Sequence, residues 1–259
     1  MSLRRLGVDL GATWLRACLS DGTRALWTER AHATAWREAP AALRRLLKKR
    51  GLSGVDELTL GGTRLGGKAG QAELTRLLKP LAARVSVVPD FDIAHRAAFG
   101  AGAGVLLVAS TGSIAFARDG RGRSRRAGGL GPLLGDEGSG FWLGKTASRD
   151  AALRKELRLP APLDLAHALD PVRATAALAP RVLRARSARA RRLREDAADH
   201  LAALAAEAVH GLALPRPVPL ALHGSLFKNA ALKKAVLRRL GRVVLVAPRV
   251  SAERAAAGL

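Results

Sequence analysis

One pattern constrains this chain more than any other. A strand, a polar glycine-bearing turn and a second strand occur once in each half of the sequence. LGVDLGATWLRACLS (residues 6–20) and GVLLVASTGSIAFAR (104–118) both alternate or run apolar on either side of a short turn. Apolar runs of this length bounded by Gly, Ser, Thr and Asp read as paired β-strands. The two halves also continue alike, with a further strand and then alternating helices and strands.

In the first half, SDGT (20–23) supplies an Asp-Gly turn into a third strand. APAALRRLLKKRGL then places Leu43, Leu46 and Leu47 on one helical face and stops at Gly51. DELTLGGTRLGG (56–67) reads as a strand entering a glycine-rich loop, and QAELTRLLKPLAA (71–83) as a helix. RVSVVPD is a strand, and FDIAHRAAFGAG begins a helix. The order is βββαβαβα. In the second half, helices dominate from Gly138 to Leu212, after which VPLALHGS (218–225) and RVVLVAP (242–248) read as strands around the helix NAALKKAVLRRLG. The expected fold is therefore α/β, with a βββαβα unit duplicated into two lobes and ligands bound near the strand ends. The expected division is a first lobe over 1–103, a second over 104–248, and a C-terminal helix in 249–259 returning to the first.

Composition limits the functional classes. The chain has 259 residues, with 44 Lys and Arg against 21 Asp and Glu, a net charge of +23. Such an excess invites a polyanion partner. Its densest basic run, RVLRARSARARRLRED (181–196), carries no interleaved aromatics for stacking, and Leu183, Ala190 and Leu193 give it a buried stripe. The run therefore reads as a solvated helix face, and nucleic acid is not an expected partner. The single cysteine, Cys18, rules out a disulfide framework or a cysteine metal cluster within one chain. No apolar run approaches the length of a membrane span, and Asp9 interrupts the N-terminal apolar stretch, so the expected location is the cytoplasm.

The segment GDEGSGFWLGKTAS (135–148) ends in Gly-Lys-Thr, as a P-loop does. The register fails, because Ser139 stands where the first glycine of G-x-x-x-x-G-K-[ST] belongs. Phe141, Trp142 and Leu143 are also too bulky for a phosphate cradle and suit the start of a buried helix.

Four turns and one acid carry the candidate chemistry. Asp9, Gly11 and Thr13 form a D-x-G-x-T turn after the first strand. Ser110, Thr111, Gly112 and Ser113 form a hydroxyl-rich turn able to present backbone N–H groups to phosphate. Gly224 and Ser225, with Asn229 beyond, end a later strand. Asp136 and Glu137 either open the next helix as its cap and first-turn acids, or bind substrate hydroxyls or hold a metal-bound water. Asp92 stands at a strand-to-helix junction, where it serves either as a helix cap or as a proton acceptor in phosphoryl transfer.

The order of these pieces resembles the superfamily of sugar kinases, actin and heat-shock chaperone ATPases. GGLGPLLGDEGSGFWLGK resembles the signature of N-acetylglucosamine kinases and the BadF/BadG/BcrA/BcrD-type ATPases. The resemblance runs from Gly7 to the C-terminus. It implies a two-lobed ribonuclease-H-like fold binding ATP and Mg²⁺. By position it implies Asp9, Gly11 and Thr13 as the first phosphate motif, with Asp9 near the metal. Ser110, Thr111, Gly112 and Ser113 match the second phosphate motif, and Gly224, Ser225 and Asn229 the adenosine motif. Asp92 matches the catalytic base, and Gly129, Asp136 and Glu137 the segment that touches the sugar. Leu130 stands where relatives often carry Trp.

The resemblance thus implies an ATP-dependent kinase acting on a sugar hydroxyl, with N-acetylglucosamine or a related amino sugar as acceptor. Related kinases often dimerise, so a homodimer is one expectation. The alternative is a BadF-type ATPase that couples hydrolysis to a partner protein. The lone Cys18 argues against the bridging iron–sulfur cluster that such activators hold.

Overall fold

The computed structural model describes residues 3–11, 14–32, 35–63, 65 and 67–259. Two compact units emerge: Met1–Ala101 with Pro248–Leu259, and Gly102–Ala247.

The first unit is built on β1 (Arg5–Leu10), β2 (Trp14–Ser20) and β3 (Ala25–His32), then α1 (Ala39–Lys49), β4 (Val55–Gly62), α2 (Lys68–Leu78), β5 (Ala82–Pro89) and α3 (Asp90–Phe99). Its five-stranded sheet has the order β3-β2-β1-β4-β5. The first three strands form an antiparallel meander, while β4 and β5 run parallel to β1. The β2–β3 turn is held by Asp21, whose Oδ1 accepts from the backbone N–H groups of Thr23 and Arg24, both at 2.9 Å. Those hydrogen bonds, led by the Thr23 hydroxyl, hold the Asp21 carboxyl well below the usual carboxylate range. Leu43, Leu46 and Leu47 of α1 are buried, and Gly51 ends the helix with φ +67°.

The second unit contains β6 (Gly104–Ala109), β7 (Ser113–Arg118) and β8 (Ser124–Gly128), followed by α4 (Gly140–Arg149), α5 (Ala151–Leu157), α6 (Pro162–Ala166), α7 (Pro171–Ala176), α8 (Ala179–Arg184) and α9 (Ala188–Val209). It closes with β9 (Val218–His223), α10 (Ala230–Leu240) and β10 (Val243–Leu245). The sheet order is β10-β9-β6-β7-β8. Read from β8, this is the order of the first sheet: β8, β7 and β6 form an antiparallel meander, and β9 and β10 run parallel to β6. The sequence duplication is therefore a duplicated topology.

The last helix, α11 (Ala252–Ala256), belongs to the first unit. It lies backbone-to-backbone on β1. A side chain at Gly7 would meet the Glu253 carbonyl at 2.1 Å and the Ala257 nitrogen at 2.2 Å, so only glycine admits this contact. The Ser20 hydroxyl donates to the Ala257 carbonyl at 2.6 Å, and Arg249 N–H donates to the Ala97 carbonyl at 2.8 Å.

Three expectations need correction. The helix read over 71–83 begins at Lys68 and ends at Leu78, then passes through a short 3₁₀ turn; Ala82 and Ala83 already belong to β5. Pro80 lacks the N–H a continuing helix needs. The last strand of the second sheet is only Val243–Leu245, because Ala247, Pro248 and Arg249 lead the chain away. The basic run 181–196 is two helices. α8 stops at Arg184, and Ser187 caps α9 by accepting the Ala190 N–H at 3.2 Å. Leu183, Ala190 and Leu193 are buried, as their spacing implied. Among the described residues, no helix is long and apolar enough to cross a membrane.

Candidate active site

In the first unit, the β1–β2 turn is closed by Gly11 N–H donating to the Trp14 carbonyl at 3.0 Å. Asp9 faces Arg16 across the ladder, and Arg16 Nη1 lies 3.3 Å from Asp9 Oδ2. Thr13 lies outside the described residues. Asp9 is also in register with Gly61 of β4. Gly61 has a packing role that its place in a glycine-rich loop did not reveal: a side chain there would overlap Ile93 Cδ1 at 2.4 Å. Ile93 is the neighbour of Asp92, so this gap in the sheet seats the first turn of α3.

Asp92 is the third residue of α3 and does not cap it; the flanking residue is Pro89. The carboxylate is largely buried and accepts from Arg96 Nε at 2.6 Å. An ion pair one helical turn away holds the side chain along the helix face. Asp9 and Asp92 both stand at the C-terminal edge of the first sheet, the edge at which open α/β sheets bind ligands.

In the second unit, segments distant in sequence are tied together. Within the β6–β7 turn, Ser110 N–H donates to the Gly112 carbonyl at 2.9 Å. The N-terminus of α4 docks on this turn, with Gly140 N–H donating to the Ser110 carbonyl at 2.8 Å and Phe141 N–H to the Thr111 carbonyl at 3.0 Å. Ser113 makes three further links. Its N–H donates to Asp136 Oδ1 at 3.2 Å, its hydroxyl to the Glu137 carbonyl at 2.7 Å, and its own carbonyl accepts from Gly129 N–H at 2.9 Å. The structure thus brings Ser110, Thr111, Gly112, Ser113, Gly129, Asp136 and Glu137 into one cluster.

Gly112 is required there, because a Cβ would stand 2.8 Å from Asp136 Oδ1. Asp136 is buried and takes a left-handed conformation with φ +64°. Burial above all, with some repulsion from Glu137, pushes its carboxyl above the usual aspartate range, and the Ser113 N–H opposes the rise. The helix-capping alternative for Asp136 and Glu137 is excluded. Ser139 caps α4, accepting the Trp142 N–H at 3.2 Å. Lys145 and Thr146 lie inside α4, and a side chain at Gly144 would meet the Thr175 carbonyl at 2.0 Å. Gly144 therefore serves close packing on α7, and the apparent P-loop ending is a helix contact.

Gly224 has φ +106° and lies against β6, where a Cβ would be 2.2 Å from the Ala109 carbonyl. Since Ala109 precedes Ser110, this approach sets the third turn beside the second. The two turns open on a cavity of about 590 Å³, whose lining includes Ser110, Thr111, Ser225 and Asn229. The Asn229 amide is committed within the fold: Oδ1 accepts from Leu232 N–H at 2.9 Å and caps α10, while Nδ2 donates to the Leu183 carbonyl at 3.2 Å. Sequence reading missed the cations of this cavity, Arg173, Arg184 and Lys228. They come from α7, α8 and the turn before α10, and nothing in their local sequence signals a common site.

Comparison with known proteins agrees with this arrangement. The sequence model of the BadF/BadG/BcrA/BcrD ATPase family matches residues 6–256. The chain belongs to that family. It is also similar to the N-acetylmuramic acid/N-acetylglucosamine kinase of Clostridium acetobutylicum, 40% identical over 68 residues. That stretch is 26% of this chain and 22% of the length of the relative. Among solved structures, a Chromobacterium violaceum protein assigned as an N-acetylglucosamine kinase superposes with TM-score 0.73 at 25% identity, covering 99% of this chain and 98% of that one. A ROK hexokinase from Thermus thermophilus superposes with TM-score 0.61 at 19% identity, covering 99% and 97% of the two chains, and shares the fold. The fold is the two-lobed ribonuclease-H-like, actin-like ATPase fold that the family resemblance implied.

Proposed function

We propose that this protein is an ATP-dependent sugar kinase whose acceptor is N-acetylglucosamine or a related amino sugar. The observation that carries the reading is the clustering in the second unit. The hydroxyl turn Ser110–Ser113 is joined on one side to the acids Asp136 and Glu137, and on the other to the Gly224 turn and its cavity. Such a cluster joins groups for phosphate, nucleoside and sugar hydroxyls. Membership of an ATPase family and the likeness to N-acetylglucosamine kinases support it.

Each residue then has a role. The N–H and hydroxyl groups of Thr111 and Gly112 hold phosphate oxygens. Gly224 and Ser225 admit the nucleoside, and Asn229 positions that turn through its two hydrogen bonds. Asp136 and Glu137 accept hydrogen bonds from sugar hydroxyls, with Gly129 letting the chain pass close to Ser113. Asp92 accepts the proton of the attacking hydroxyl, and Arg96 orients its carboxylate.

Among the described residues, no group of three or more His, Cys, Asp or Glu could hold a metal by itself. Mg²⁺ in nucleotide sites binds through one or two carboxylates and the nucleotide phosphates. Asp9 is the residue that would hold it. When bound there, Mg²⁺ neutralises charge on the phosphates.

The second reading, an ATPase driving a partner protein, is favoured by the family alone. Cys18 is buried in β2, which leaves the reading without a thiolate for a bridging cluster. ADP formation separates the two. A kinase forms ADP in response to a sugar acceptor, and Asp92→Asn sharply lowers that sugar-stimulated ADP formation. Equal ADP formation with and without amino sugars and neutral hexoses refutes the kinase reading.

A further inference from the structure

We propose that Lys145 of α4 binds the phosphate chain of the nucleotide. This rests on the reading of Ser110–Ser113 as the phosphate turn and adds the cation which that turn lacks.

The turn has few donors to spare. Ser110 N–H is committed to the Gly112 carbonyl, and Ser113 N–H to Asp136 Oδ1. The end of α4 that docks on the turn has no donor left. Its first four N–H groups donate to the Ser110 carbonyl, the Thr111 carbonyl, the Ser139 hydroxyl and the Ser139 carbonyl. A helix N-terminus holds an anion through N–H groups without an intrahelical partner, and here those groups are spent. The ionisable residues tied to the turn, Asp136 and Glu137, are both acids. Phosphates arriving at the turn therefore meet neutral donors and carboxyl groups, and a charge-assisted hydrogen bond must come from elsewhere.

Lys145 is placed to supply it. Phe141, whose N–H is bonded to the Thr111 carbonyl, lies one helical turn before Lys145 on the same face of α4. Helical side chains lean back toward the helix N-terminus. Lys145 does so, with Nζ 5.4 Å from the centre of the Phe141 ring. The ammonium thus stands over the residue that docks on the turn. Lys145 and Phe141 are both half-buried. Among the described residues, the Lys145 ammonium has no ion-pair or hydrogen-bond partner beyond this ring contact. A cation–π contact open to solvent is weak enough to yield to a phosphate oxygen. Arg173, Arg184 and Lys228 line the cavity and are exposed. Of these, Arg173 on α7 shares the cavity with Ser110 and Thr111 and is the competing source of charge.

Calorimetric titration of the full chain with adenosine, MgADP and MgATP tests the inference without any sugar. Lys145→Met keeps an apolar stem against Phe141 and removes the charge. It is expected to bind MgATP about tenfold more weakly than wild type, to lose less affinity for MgADP, and to bind adenosine unchanged. Lys145→Arg, which keeps the charge, is expected to bind MgATP within about threefold of wild type. MgATP affinity in Lys145→Met within about threefold of wild type overturns the proposal. So does an equal loss for adenosine, which reports a displaced turn, with melting temperatures measured alongside. Loss of MgATP affinity in Arg173→Met but not in Lys145→Met assigns the charge to Arg173 and overturns it too. Wild type binding none of the three ligands overturns the phosphate-turn reading and the proposal with it. If the Lys145 effect is found but no sugar stimulates turnover, the proposal stands and the kinase reading falls.

Discussion

Replacing Gly224 by alanine tests how the nucleotide turn is set against the phosphate turn. Gly224 has φ +106° and ψ +162°, a region nearly closed to side-chain-bearing residues. Forcing alanine into it costs about 1–3 kcal/mol. The new methyl would also stand 2.2 Å from the Ala109 carbonyl oxygen and 2.7 Å from its carbon. Relief requires β9 and β6 to separate or the turn to rotate, an overpacking penalty of about 1–3 kcal/mol. Together these give about 4 kcal/mol, which at about 2–4 °C per kcal/mol lowers the melting transition by roughly 10 °C. The shifted turn also carries Ser225 into the cavity, so nucleotide affinity falls with stability. Differential scanning fluorimetry with and without MgATP reads both effects. Gly120→Ala is the control, because Gly120 has no heavy atom within 4 Å of its missing Cβ. A Gly224→Ala protein melting within about 2 °C of wild type, with nucleotide-induced stabilisation intact, would refute this reasoning.

Three further outcomes are expected. Asp92→Asn lowers kcat by about 10²–10⁴-fold while leaving nucleotide affinity unchanged, read by steady-state kinetics and nucleotide titration. Asp136→Asn keeps an acceptor for the Ser113 N–H and removes a buried charge. Because the folded carboxyl titrates above its unfolded value, its stabilising effect is present at low pH and is lost as pH rises through the folded value. The asparagine variant should therefore melt at or above wild type at neutral pH, with the gap closing toward about pH 4, while the sugar KM rises. Gly7→Ala forces α11 off β1, costs about 1–3 kcal/mol, and should expose the C-terminus to limited proteolysis.

How much the sequence revealed depended on range. The two strand–turn–strand units, the α1 face of Leu43, Leu46 and Leu47, and the failed P-loop register were legible because each rests on neighbours in the chain. The positions of the candidate turns were legible for the same reason. Their mutual contacts were not. Gly140 and Phe141 satisfy the carbonyls of Ser110 and Thr111 across a long stretch of sequence, and no local pattern announces it. Gly61 stood in a glycine-rich loop, Gly144 in an apparent P-loop ending and Gly224 in a strand-end turn, and each is a site of close approach, to Ile93, the Thr175 carbonyl and the Ala109 carbonyl. Asp136 and Glu137 suited a helix N-terminus until Ser139 proved to be the cap. Arg173, Arg184 and Lys228 were hidden in a chain so rich in basic residues that three more carried no signal.

Phosphoryl transfer from ATP to an amino-sugar hydroxyl is the central claim. Mass-spectrometric detection of products from the protein incubated with MgATP and N-acetylglucosamine tests it most directly. The predicted result is a phosphorylated sugar formed in equal amount with ADP, in wild type and not in Asp92→Asn. ADP accumulating without any phosphorylated sugar, across amino sugars and neutral hexoses alike, would contradict it.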